Sequence, residues 1–352
     1  MALEFKNIEN DKEWDELVFS LPEYSFLLSS ARYQYSQRNG LKPYRIGIFN
    51  NDIFLGVIFC YIGYSKLFGK YLECKHSPTL MEDRVEYWDE ILEYLKILGN
   101  DNGCFMIRFA PLSKENEQIT EFYKKQSLIK APIHNVDALI SQHIDLTKDI
   151  EELRRDMNKT KRNLLNRLLK DSNVSVKIFN DDSQFDVFKD FHLQTTKLKG
   201  YTDKPVNLLI EEFKDQISNG MFYILVGYYK NTPIGFWQCT RYGKNLHLYQ
   251  AGTDTEFREM NINISYLLFW ETVNLGKELG CEKLDLFGGV VPENYVGGNH
   301  PWSGIGNFKE SLGGKKETYM HSRDYPLKNL MYRAYYLITS VRTKLKGYTI
   351  DW

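Results

Sequence analysis

Gly280-Cys281-Glu282-Lys283-Leu284-Asp285-Leu286-Phe287 has the pattern of a short buried strand. It opens on a glycine, alternates apolar side chains about Asp285, and stops at Gly288-Gly289. The same pattern stands earlier at Gly103-Cys104-Phe105-Met106-Ile107-Arg108-Phe109, which ends before Pro111. A helical repeat precedes each strand. Ile264, Leu267, Leu268, Leu275 and Leu279 share one face in the later copy, as do Trp88, Ile91, Leu92, Leu95 and Leu98 in the earlier. Further back, each copy carries a β-hairpin, 44–49 with 53–61 and 223–229 with 234–241, and then an extended piece. The intervals Gly56 to Gly103 and Gly235 to Gly280 are nearly equal in length. Such an internal repeat predicts two similar α/β lobes. We place the boundary at 1–145 and 146–352, with the second lobe drawn mainly from 174–324.

Composition narrows the class. A chain of 352 residues with 43% hydrophobic content can bury two sizeable cores, and a net charge of −1 gives no bulk attraction for DNA. The five cysteines (Cys60, Cys74, Cys104, Cys239, Cys281) fall mostly inside apolar runs without metal-ligand spacing, so buried thiols and no metal are expected. The N-terminus lacks a signal-peptide pattern and no apolar run approaches the ~20 residues of a membrane span, so a cytoplasmic protein is expected.

Three stretches carry chemistry. The strand 284–287 leads into a glycine-rich loop with His300 and then to Gly304, Gly306, Phe308 and Lys309 before Gly313-Gly314. Backbone N–H groups near Gly304 and Gly306 suit an oxyanion or phosphate, with Lys309 read as a lone cation at a helix start. His300 is a candidate general base, and so is Asp285, whose alternative role is to hydrogen-bond the glycine loop. The segment 154–170 holds Arg154, Arg155, Lys159, Lys161, Arg162, Arg167 and Lys170 and is predicted to be one helix. It is either a solvated face or, through Lys159, Lys161 and Arg162, a rim for a polyanion such as a tRNA end. The residues 326–347 form a basic amphipathic helix, expected to pack on the second lobe. Its alternative is peripheral contact with the inner face of a membrane.

Together these features resemble the FemABX family of non-ribosomal peptidyl (aminoacyl) transferases, which have two GNAT-like lobes. The resemblance rests on Phe26-Leu27-Leu28-Ser29-Ser30 with Tyr33, and on Lys159-Thr160-Lys161-Arg162-Asn163 before Val174-Ser175-Val176. It also rests on Gly280 through Asp285 to Gly288-Gly289, and on Gly306-Asn307-Phe308-Lys309 with Leu312-Gly313-Gly314. No heptad run is present, so no coiled-coil arm is expected. The resemblance implies an acyltransferase without a cofactor. It would move an aminoacyl group from aminoacyl-tRNA to an amine of a peptidoglycan or other cell-envelope precursor. It implies that Lys309 stabilises the oxyanion or the departing ribose oxygen, that Phe308 packs on the aminoacyl-adenosine end and that Tyr249 lines the same channel. Members that bind a UDP-linked precursor carry a tryptophan and a lysine in the second helix, where this chain offers only Arg38.

Two other functions fit the residues. One is N-acyl transfer from another donor to an amino sugar or peptide of a surface glycan. Acyl-CoA is disfavoured as that donor, because 257–263, at the start of the central helix, contain no glycine to admit a pyrophosphate. The other is a non-catalytic module that binds a glycan or peptide.

Overall fold

The computed structural model describes residues 3–114, 117–133, 138–199, 204–260, 262–290 and 302–346. One compact unit is built from residues up to 140 and from 318 onward, the other from 141–290 and 304–317. In the first, β1 (Glu4–Asn7) precedes α1 (Asp11–Phe19) and α2 (Ser30–Arg38). Asn10 caps α1 by accepting from the Glu13 N–H at 3.0 Å. The hairpin of β2 (Lys42–Asn50) and β3 (Ile53–Ser65) turns at Asn51 and Asp52, both with positive φ. Such a turn matches the twist of its strands. Then follow β4 (Gly69–Lys75), β5 (Thr79–Leu80), α3 (Val85–Asp101), β6 (Met106–Ala110), α4 (Glu117–Lys125) and β7 (Ile129–Lys130). The sheet runs β1-β2-β3-β4-β6, with β4 and β6 parallel. Trp88, Ile91, Leu92 and Leu95 on α3 pack on Ile58, Cys60, Leu72 and Ile107 of that sheet. Each such large side chain contributes about 1.5–3 kcal/mol by leaving water.

The second unit opens with β8 (Ile140–Asp145), α5 (Ile150–Asp156), α6 (Lys159–Leu168), β9 (Val174–Phe179), α7 (Phe185–Lys199) and α8 (Val206–Ser218). It continues with β10 (Phe222–Tyr229), β11 (Thr232–Tyr242), β12 (Asn245–Thr253), α9 (Thr255–Glu259) and α10 (Ile264–Glu278). It closes with β13 (Lys283–Asp285), α11 (Ser303–Glu310) and β14 (Lys315–Thr318). Its sheet runs β14-β8-β13-β12-β11-β10-β9, and β12 and β13 are parallel. The repeat therefore holds: hairpin, third strand, helix and parallel fourth strand recur in both units. One face of this sheet packs on α10, α5 and α6 through Leu225, Trp237, Leu246, Leu248, Leu284 and Leu286. The other meets α7 and α8 through Phe188, Leu209, Phe213, Ile224 and Phe236.

Two strands differ from the sequence assignment. β8, placed by sequence at the end of the first lobe, pairs with β13, so Ser141 and His143 belong to the second sheet. After β14 the chain forms β15 (Arg323–Pro326) and α12 (Asn329–Leu345), placed by sequence with the second lobe. Instead β15 inserts between β6 and β7 of the first sheet. Its Asp324 lies opposite Arg108 and takes two hydrogen bonds of 2.7 Å from that guanidinium. Tyr332 on α12 donates to Asp324 at 3.1 Å, and Arg108 donates to the Tyr335 hydroxyl at 3.0 Å. A buried ion pair made across two strands thus seats the terminal helix on the first unit.

The basic segment also departs from one helix. It breaks at Met157-Asn158 between α5 and α6, where Asn158 caps the second helix and Met157 is buried in the core. The five cysteines are buried free thiols.

Candidate active site

Alternation within the strands of the second sheet sets which side chains share a face. Leu246 and Leu248 on β12, Leu284 and Leu286 around β13, and Ile144 on β8 point to the α10 core. The residues between them, His247, Asp285 and His143, therefore lie on the opposite face. Register then lines them up, for Thr240 pairs with His247, His247 with Asp285, and Asp285 with His143. Four adjacent strands so carry one buried polar row.

Asp285 is the centre of that row. Its carboxylate accepts from the Ser141 hydroxyl and, at 2.7 Å, from the backbone N–H of Phe287, with His143 Nε2 at 3.5 Å. The Ser141 hydroxyl also accepts from the Gly288 N–H at 3.2 Å. Burial alone would raise the Asp285 pKa, but the charges and hydrogen bonds of His143, the His247 charge and the Ser141 bond hold it far below the usual carboxylate range. So low a pKa makes Asp285 a poor general base. The geometry gives it the anchoring role, holding the turn that follows β13.

That turn is strained. Phe287, Gly288 and Gly289 are all left-handed, and Phe287 at φ 51° has no glycine to relieve the cost. Its ring lies edge-on to His247 and Tyr249, at 6.1 and 5.9 Å. The Leu286 and Gly288 carbonyls both point to Lys309, whose ammonium donates to them at 2.5 and 2.7 Å. Lys309 is 6% exposed, and burial pushes its pKa down to about 8 against the pull of Asp285. A Cβ on Gly289 would sit 3.2 Å from the Lys309 Nζ, at a backbone φ that side chains rarely adopt. Glycine there leaves the lysine's approach to the turn open.

Lys309 is not at a helix start. α11 begins at Ser303, so Lys309 stands in its last turn, and Gly304 and Gly306 are helical and not loop residues. Gly304 is exposed and Gly306 buried. Phe308 packs on Tyr266 and Trp237, at 5.3 and 6.4 Å between rings. The end of α11 is tied to the basic helices, since the Asn158 N–H donates to the Ser311 carbonyl at 3.0 Å. Gln142 on β8 donates to the Gly313 carbonyl at 2.6 Å.

Among the basic candidates, Lys161 lies 5.8 Å from the Tyr266 ring that also touches Phe308. Arg162 caps the end of α5 through the Arg154 and Arg155 carbonyls, and Lys159 is exposed. Tyr249 donates to Glu212 at 3.2 Å, and Lys204 pairs with the same carboxylate. Arg38 belongs to the first unit, exposed in the last turn of α2. His300 lies outside the described residues.

The structure thus brings together Lys309, Asp285 and Tyr249, and it adds Ser141, His143, His247 and Glu212, which sequence reasoning missed. The signal for the first three was polar residues spaced two apart inside apolar strands, Ser141 with His143 and His247 with Tyr249, whereas Glu212 on α8 carried no such signal.

A family model described as an acetyltransferase (GNAT) domain matches residues 155–299. Comparison with curated proteins finds no match. Among solved structures, FemX superposes with a TM-score of 0.80 at 13% identity, covering 95% of this chain and 100% of that one. A tandem GNAT protein from the clavulanic acid biosynthesis pathway gives 0.58 at 11% identity, covering 92% of this chain and 98% of its own. The C-terminal domain of a putative lysylphosphatidylglycerol synthetase from Agrobacterium fabrum gives 0.51 at 13%, covering 94% and 97%. The fold is therefore the double GNAT-like fold of FemX.

Proposed function

We propose that this chain is a Fem-like aminoacyltransferase. It would form an amide between an amino acid esterified to tRNA and an amine on a peptidoglycan or other cell-envelope precursor. The observation that carries the reading is the buried ammonium of Lys309 at the end of β13. Two of its three N–H bonds go to the Leu286 and Gly288 carbonyls, which leaves one to point at a reacting oxygen. The fold shared with FemX supports the reaction class, as does the lysylphosphatidylglycerol synthetase neighbour.

An ester is already activated, so the chemistry needs position and charge stabilisation more than a nucleophilic side chain. The neutral acceptor amine attacks the ester carbonyl, and the C–N bond forms as the carbonyl oxygen becomes an oxyanion. The third N–H of Lys309 stabilises that charge inside a site of low polarity, where such a contact is stronger than in water. Collapse breaks the bond to the ribose oxygen, and the proton lost by the amine ends on that oxygen. A lysine with a pKa of about 8 holds its proton at neutral pH, yet can pass it to the departing alkoxide and take the amine's proton in its place, so that the net transfer is from amine to ribose oxygen. Asp285 acts through the turn it anchors, as a positioning residue, and the basic α6 offers Lys159 and Lys161 to the phosphates of the donor.

The purified protein would be incubated with tRNA charged with labelled amino acids and, separately, with acyl-CoAs, each with amine acceptors present. The proposal expects label to leave tRNA and appear as amide, dependent on protein and acceptor, with CoA release at background. Acceptor-dependent CoA release would favour the other acyl transfer. Binding of a glycan or peptide with neither donor consumed would favour the non-catalytic module.

A further inference from the structure

The helix α12 is seated with its sides reversed. Its inner side is polar and aromatic, held at one end by Tyr332 and Tyr335 on the Arg108–Asp324 pair and at the other by Thr343, which donates to the Pro132 carbonyl at 3.0 Å. The outer side is apolar: Leu330, Met331, Leu337, Ile338, Val341 and Leu345 are all exposed, Leu330 at 84% and Leu345 at 81%. At about 100° per residue these six fall on one stripe roughly 120° wide. A soluble surface helix normally buries such a stripe.

The stripe has a charged border of one sign. Arg333 and Lys344 project along one edge of it and Arg342 along the other, while Lys328 and Lys346 cap its two ends, all exposed. No acidic residue occurs between 326 and 346, although the whole chain carries 46 acids against 45 bases. A second element extends the surface. The end of β3 exposes Tyr64, and the β3–β4 turn exposes Leu67 between Lys66 and Lys70. Its Phe68 packs on Tyr335 at 5.5 Å and shares a shallow apolar groove with Leu330, Met331 and Ala334.

We propose that this face of the first unit docks on an anionic lipid bilayer, with α12 lying in the interface plane and the β3–β4 turn dipping in beside its N-terminal end. An apolar stripe bordered on both sides by cations matches a surface whose interior is hydrocarbon and whose headgroups are negative. α12 does not span, since no described helix is long and apolar enough to cross a membrane. A second copy of the chain fits less well. A two-fold contact through the stripe would oppose one basic border to another with no carboxylate between 326 and 346 to compensate. The inference does not depend on the proposed reaction.

The full-length protein would be floated with vesicles of phosphatidylcholine alone and with vesicles that also contain phosphatidylglycerol. Binding is expected to the mixed vesicles, weakened by salt, and not to the neutral ones. Replacing Arg333, Arg342 and Lys344 by glutamine removes about 5-fold per cation, or on the order of 100-fold together. Replacing Leu330, Leu337 and Leu345 by glutamine should abolish retention and leave thermal unfolding unchanged, because these side chains are exposed. Failure to bind either vesicle would overturn the proposal. So would equal, salt-insensitive binding to both, or a protein dimer that the leucine substitutions dissolve.

Discussion

Burial of Lys309 has a measurable consequence for stability. In the unfolded chain a lysine keeps its proton to near pH 10.5, whereas folding pushes Lys309 down to about 8. Below pH 8 both states hold the proton, and the folded state bears the full cost of the buried ammonium. Between pH 8 and 10.5 only the unfolded state binds it, so stability rises with pH across that window. At about 1.4 kcal/mol per pKa unit the rise is roughly 3 kcal/mol. The assay is urea unfolding of the wild type and of Lys309→Met at a series of pH values from 7 to 10.5. The variant leaves the Leu286 and Gly288 carbonyls without their donor, which adds an offset that does not change with pH. Tyrosine titration affects both proteins alike and cancels in the difference. The wild type should gain on the variant by up to about 1.4 kcal/mol per pH unit above pH 8. A flat difference, or one that falls with pH, would refute the placement of the ammonium in a desolvated pocket.

Three other outcomes are expected. Because folding depresses the Asp285 pKa, its contribution to stability is present above about pH 4 and is lost progressively below it. Asp285→Asn should therefore flatten the acid limb of the unfolding curve, read by circular dichroism. Arg108→Met strands the Asp324 carboxylate in the first unit and should cost about 3–5 kcal/mol of stability, measured by chemical denaturation. Reversing Lys159, Lys161 and Arg162 to glutamate should weaken binding of charged tRNA and shallow its salt dependence, measured by filter binding across salt concentrations.

The parts of the fold that were legible in the sequence are those decided locally. Both hairpins, α3 and α10 declare themselves through period and turn chemistry. What local pattern cannot reveal is the partner of a short strand. Ile140–Asp145 and Arg323–Pro326 each join the sheet of the other half of the sequence, against residues far away along the chain. The periodicity of α12 was equally clear, but which side faces inward was decided by Tyr332 and Tyr335 reaching the Arg108–Asp324 pair. Glycines at 304 and 306 suggested a loop, and the helix that contains them moved Lys309 from a first turn to a last one. His143 and His247 were invisible for a different reason. A single histidine in an apolar strand looks like any core residue until register sets it beside a carboxylate.

The central claim is that Lys309 stabilises charge that exists only in the transition state. Its most direct test is single-turnover transfer from charged tRNA by wild type, Lys309→Ala and Lys309→Arg, with donor affinity measured on the same proteins below their unfolding temperatures. A contact of this kind is worth about 10²–10³-fold in rate. The alanine variant should lose that much turnover while its donor affinity changes little, and arginine should restore only part of the loss. Near-normal turnover in Lys309→Ala, or a loss confined to donor binding, would contradict the claim.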